Sequence, residues 1–139
     1  MAKTSGLGAA VVVSDSSSSN QTITNDVTDF TISTPVAQYD WTGVDKSAHE
    51  RGQGLADAKF GLKGVLNNAS NMSHMVLSTM SSTSVTRLIK VTPTNQSHPF
   101  LQANCNIDTY DVTRAADGNL TWAADLVLAD GTSPSWTNS

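Results

Sequence analysis

Two stretches of this chain alternate between apolar and polar residue by residue, and nothing else in the sequence constrains its fold as tightly. Ala58, Phe60, Leu62, Gly64 and Leu66 fall on one side, with Lys59, Gly61 and Lys63 on the other. Leu120, Trp122, Ala124, Leu126 and Leu128 repeat the pattern. Successive side chains of a strand point to opposite faces, so each run reads as a strand with one face in a core and the other toward solvent.

Weaker versions of the same signal mark further strands at residues 9–13, 22–34, 36–42 and 85–92, the last ended near Pro93. Tyr39 and Trp41, both strand formers, lie in the third of these. Leu101, Ala103, Cys105 and Ile107 share one face of another strand, after which the apolar set shifts by one residue to Tyr110 and Val112. An extra residue flips every later side chain, so this shift predicts a β-bulge near Asp108 and Thr109. Asp117-Gly118 then predicts a hairpin turn.

Only one segment changes period. Ala69, Met72, Val76 and Met80 recur at helical spacing, with Met75 at the margin of the stripe. Asn67 or Asn68 can cap such a helix, because a short acceptor side chain satisfies an otherwise orphan N–H. The pattern predicts a short helix over about 68–80. The sum is a mainly β fold, a single antiparallel barrel or sandwich of about seven strands, with the helix plugging an open end or covering an edge. At 139 residues one domain is expected, with residues 1–8 as an arm, 9–139 as the β domain and 16–20 as a polar loop tip.

The residues offer no catalytic set. Paired-carboxylate chemistry needs two positioned acids, whereas the only glutamate, Glu50, adjoins Arg51 and reads as half of a surface ion pair. His49, His74 and His98 are far from one another in sequence, and no ligand spacing for a metal occurs. His74 is placed off the apolar stripe, toward solvent or an interface. No nucleophile elbow surrounds any serine. Cys105 sits mid-strand on an apolar face, where thiols are inert. Gly6-Leu7-Gly8 and Gly52-Gln53-Gly54 lack the helix a nucleotide loop requires, and their glycines suit tight turns or close backbone approach. Neither an enzyme nor a cofactor is expected.

Charged residues are 14% of the chain and the net charge is −4. Serine and threonine, roughly a quarter of the chain, supply the polar surface instead. Stable DNA binding needs clustered cations, and the 8 basic residues are scattered, so only transient, non-specific contact with DNA is expected. No apolar run is long enough to cross a membrane, and the start of the chain reads as mature sequence rather than a leader. One cysteine allows no internal disulfide and fits a reducing compartment.

Four segments occur in an order that resembles a known family. They are Lys3-Thr4-Ser5-Gly6-Leu7-Gly8, the loop from Thr42 to Arg51, the passage from Asn67 to His74, and Arg114 to Leu120 with its Asp-Gly. Together they resemble the small tail-tube proteins of long-tailed bacteriophages infecting actinobacteria. The likeness covers most of the chain outside 14–35. It implies a structural virion protein, not an enzyme, that assembles in the host cytoplasm into six-membered rings. These stack as a tube for DNA passage, with other tail proteins as further partners. The arm and the 45–54 loop are too polar for a core, so Lys3, Ser5, Leu7, Asp45, Lys46, His49, Glu50 and Arg51 are candidates for contacts within or between rings, against the alternative of plain surface. Two other readings stand beside this one. One is a capsid decoration protein of the same viruses. The other is a carbohydrate-binding β-module using Trp41, Trp122 and Trp136, although Trp122 falls on the buried face of its strand.

Overall fold

The computed structural model describes residues 6–81 and 86–138. In chain order it holds β1 (Ala10–Ser14), β2 (Asn20–Thr22), a 3₁₀ turn (Thr24–Asp26), β3 (Val27–Ser33), β4 (Val36–Asp40) and β5 (Arg51–Ala56). There follow β6 (Lys59–Val65), α1 (Ser73–Leu77), a 3₁₀ turn (Ser78–Ser81), β7 (Arg87–Thr92), β8 (Phe100–Arg114), β9 (Leu120–Leu128) and β10 (Trp136–Thr137).

The two strongly alternating runs are neighbours. β6 pairs antiparallel with β9 from Lys59↔Val127 to Val65↔Thr121, which puts Phe60 beside Leu126 and Leu62 beside Ala124 on one face. The main sheet has the order β2-β1-β7-β8-β9-β6-β3, with β10 also on β8. All its pairings are antiparallel. Residues 101–105 of β8 pair with β7, and residues 105–114 pair with β9. The register slips between Ile107 and Thr109, the bulge that the apolar phase change predicts. A bulge bends its strand, and the sheet thereby brings Val11, Val13, Ile89 and Val91 into one core with Phe60, Leu62, Trp122 and Leu126. The Trp122 indole N–H, buried with its ring, donates to the Val65 carbonyl at 3.0 Å.

The helix is shorter than its sequence pattern suggests. Five residues are α-helical before the chain tightens into the 3₁₀ turn. Asn67 does not cap it. Its side chain instead accepts from the Ala69 N–H and donates to Asp26, whose second carboxylate oxygen receives the Ser73 N–H. Val76 and Leu77, not the methionines, enter the core. At the other end of α1 the buried Arg87 guanidinium donates to the Val76 carbonyl at 2.9 Å and to the Thr79 hydroxyl at 2.8 Å. The first contact gives a carbonyl at the C-terminal end of the helix a charged donor. Val85, assigned to the β7 strand from sequence, lies outside the described residues.

β4 and β5 form a separate two-stranded sheet. The sequence reads 45–54 as loop, but Arg51–Ala56 is a strand. Its two glycines, Gly52 and Gly54, hide it from a hydrophobic pattern.

Candidate functional site

β8, β9, β6 and β3 form a four-stranded block whose two outer edges are open. Among the described residues, β3 pairs only with β6, and residues 106–114 of β8 pair only with β9. An open edge presents a row of unpaired backbone N–H and C=O groups, a template for another strand. Because four antiparallel strands alternate in direction, the β3 edge of one copy would meet the β8 edge of a second copy antiparallel, continuing the same alternation.

One face of this block is covered by the core, and the other is bare. The bare face presents Asp29 and Thr31 from β3, Lys59, Gly61 and Lys63 from β6, Ala123 and Asp125 from β9, and Thr109 and Asp111 from β8. A shallow groove of about 710 Å³ runs over Gly61, bordered by Asp29, Lys59, Lys63, Asp108 and Asp125. Thr109 donates to the Asp125 carboxylate at 3.3 Å. Four carboxylates against two ammonium groups leave the face net negative. Among the described residues no group of three or more metal-ligating side chains occurs, there or elsewhere.

The β4–β5 hairpin is the second feature. Tyr39 and Trp41 point to one side and lie across the glycines of the opposite strand. A Cβ at Gly54 would come within 2.7 Å of the Tyr39 ring, and one at Gly52 would run into the Trp41 ring. The glycines are therefore there for close approach, letting aromatic rings lie against bare backbone. The rings remain 53% and 62% exposed, and Val44 and Leu55 of the same hairpin are more exposed still.

Most of the sequence candidates fall on this hairpin. Asp45 and Lys46 sit at its tip and pair loosely at 3.9 Å. The His49 imidazole contacts the Asp40 carboxylate at 3.0 Å. The Glu50 N–H donates to the Thr42 hydroxyl at 2.8 Å. Arg51 begins β5 opposite Asp40. The expected Glu50–Arg51 ion pair does not form among the described residues, and the His49–Asp40 contact is made in this loop instead. Thr42 hydrogen bonds, the side-chain one foremost, hold the Asp40 carboxyl below its ordinary pKa of 3.8. Of the arm candidates, Leu7 is exposed, whereas Lys3 and Ser5 lie outside the described residues. His74 bonds the Tyr110 hydroxyl at 2.9 Å, tying α1 to β8. Sequence reasoning missed Tyr39, which follows from the glycine spacing opposite it, and both strand edges, which depend on non-local pairing.

Trp122 is 2% exposed, so a three-tryptophan sugar platform does not form.

No protein-family model matches the sequence, and no curated protein sequence matches it. Solved structures do match in fold. A protein in the tail of an empty gene transfer agent particle, reconstructed with C6 symmetry, superposes with a TM-score of 0.76 at 15% identity over 99% of both chains. A protein of the native gene transfer agent virion matches at 0.69 and 16% identity, over 91% of this chain and 95% of that one. The SPP1 tail tube protein matches at 0.75 and 6% identity, over 99% of this chain and 80% of that one. The chain therefore has a tail-tube-like fold from end to end, by shape rather than by sequence.

Proposed function

We propose that this chain is a structural subunit of a phage-type tail tube, which self-assembles into stacked six-membered rings around a channel for DNA. The observation that carries this reading is the four-stranded block with two open edges and one bare polar face. A ring needs a heterologous interface that closes on itself. Edge-to-edge pairing of β3 with the next copy's β8 supplies one. Six copies, as in the matched C6 tail, would put ~24 strands around the channel. At about 4.8 Å per strand the wall is roughly 115 Å around and about 37 Å across at the backbone, wide enough for a duplex after side chains are allowed for. The core face is already occupied, so the bare face lines the channel. Its carboxylates repel phosphate and its hydroxyls hold water, which suits a polyanion that must slide rather than bind.

The hairpin and the arm residues Lys3, Ser5 and Leu7 serve contacts between copies in this reading. Assembly takes place in the host cytoplasm, the host being an actinobacterium as the sequence resemblance implies, and the tube joins other tail proteins at its ends. Electron microscopy of the purified chain tests the proposal. Hollow six-fold rings or tubes are expected, whereas a protein that stays monomeric at high concentration would contradict it. In particles, a copy number that scales with tail length supports a tube, and one that scales with capsid area supports decoration.

A further inference from the structure

The open edges of β3 and β8 each carry one regular stretch that starts at an irregularity. On β3 the register against β6 shifts between Val27 and Asp29, and the strand ends at Ser33, which leaves 29–33 regular. On β8 the register against β9 shifts between Ile107 and Thr109, and pairing then runs without interruption to Arg114.

Both stretches alternate in the same sense. Phe30 and Ile32 pair with Leu62 and Phe60, so they lie on the core face, where they are half-buried. Tyr110 and Val112 pair with Ala124 and Trp122 and lie on the core face of β8. Tyr110 is half-buried against the core and Val112 is 47% exposed. At each edge, then, the apolar layer ends in two side chains with a neighbouring strand on one side only. The bare face of the same stretches is polar, with Asp29, Thr31 and Ser33 on β3 and Thr109, Asp111 and Thr113 on β8.

Resting on the tail-tube reading above, we infer that these edges join in a single register, with Phe30 of one copy opposite Val112 of the next and Ile32 opposite Tyr110. The apolar layer then runs on from copy to copy. A slip of one residue would turn Phe30 and Ile32 onto the polar face, so only slips of two compete. In the inferred register 29–33 lies against 113–109, and each regular stretch is used up to its irregularity. A slip of two one way sets Asp29 directly opposite Asp111, a like-charge pair that destabilises a sheet, and carries Ile32 to Asp108 at the bulge. A slip the other way sets Phe30 opposite Arg114 and pushes Asp29 past the end of β8. The inferred register instead places Thr113 opposite Asp29 and Thr31 opposite Asp111. Threonine opposite aspartate is already used within one copy, where Thr109 pairs with Asp125 and donates to its carboxylate at 3.3 Å. Tyr110 is ready for the joint, since its hydroxyl bonds His74 at 2.9 Å and its ring stands 6.2 Å from that of Trp122. A side chain ordered before contact loses little freedom on docking.

Cysteine pairs on the bare face test the register without touching the core. Thr31→Cys/Asp111→Cys is compared with Thr31→Cys/Thr109→Cys and Thr31→Cys/Thr113→Cys, each oxidised after assembly and run on a denaturing gel. Within one copy the two positions are three strand spacings apart, roughly 14 Å, so a disulfide can form only between copies. The first pair is expected to give a ladder of linked chains and the other two to give none, with each single variant unlinked because Cys105 is buried. A ladder from either slipped pair, or none from any pair in assembled rings, would overturn the inference. Because a cysteine pair could hinder assembly, a charge series reads the same register. Thr31→Asp is expected to raise the concentration needed for ring assembly roughly fivefold while melting as wild type does, and Thr31→Asp/Asp111→Lys to restore it. Assembly of Thr31→Asp at the wild-type concentration would contradict the register. Failure of the wild-type chain to form rings would instead sink the tail-tube reading itself.

Discussion

The carboxylate of Asp26 accepts the backbone N–H of Ser73 at 3.1 Å, although 47 residues separate them in sequence. Ser73 is the first residue of α1, and a helix of five residues cannot sustain itself in isolation. The other Asp26 oxygen takes the Asn67 side-chain N–H at 3.0 Å, which fixes the chain entering the helix. One buried side chain thus places the only α-helix among the described residues against the sheet.

Replacing Asp26 by Ala strands two donors, one of them buried. A cost of about 1–3 kcal/mol is expected in urea unfolding. Asp26→Asn should also destabilise, because its amide presents one N–H₂ group where both partners donate. An Asn variant as stable as wild type would show that the two bonds do not matter.

Gly64 lies on β6 directly beneath the same turn, and a Cβ there would collide with the Asp26 backbone carbonyl. Backbone cannot rotate aside as a side chain can. Gly64→Ala should therefore cost roughly 1–3 kcal/mol, while Gly61→Ala, whose nearest neighbours are ordinary contacts at 3.6 and 3.9 Å, should change the melting temperature little. Equal effects at the two positions would contradict this placement.

The Cys105 thiol pKa is pushed up to about 12, chiefly by burial and then by the charges of Asp130 and Asp57. At pH 8 the native protein should resist thiol-specific labelling, and the urea-unfolded chain should take up one label per molecule. Rapid labelling of the native state would place Cys105 at the surface.

In the hairpin, Asp40 titrates below 3.8, and the largest cause is the Thr42 hydroxyl. A depressed carboxyl pKa means that its stabilising contribution is present above 3.8 and is lost as pH falls through the lowered value. The 40–50 loop should therefore keep its Asp40 contacts at pH 3.8 and loosen only as the pH falls through the lowered value. Thr42→Val should bring the Asp40 titration, followed by NMR, back up toward 3.8. An unchanged titration in that variant would assign the shift to some other contact.

Local periodicity made the β-face residues legible. Phe60, Leu62, Trp122 and Leu126 were visible as core, and the one-residue shift after Ile107 revealed the bulge, because both depend on neighbours two residues apart. What stayed hidden depends on distant partners. Asp26 gives no sign in sequence that it caps Ser73. β5 is concealed by Gly52 and Gly54, whose purpose shows only when Tyr39 and Trp41 are laid across them. The 45–54 segment was legible as non-core, yet the hairpin was not, since Val36 and Ala56 pair in the structure and lie far apart in the chain. The open edges of β3 and β8 follow from sheet order, which no local pattern encodes.

A side-chain-resolution cryo-EM reconstruction of the assembled chain tests the central claim most directly. The account predicts six copies per ring, β3 of each copy hydrogen-bonded antiparallel to residues 108–114 of the next, and Asp29, Lys63 and Asp125 facing the channel. An assembly in which the β3 edge is left in solvent, or in which that face points outward, would contradict it.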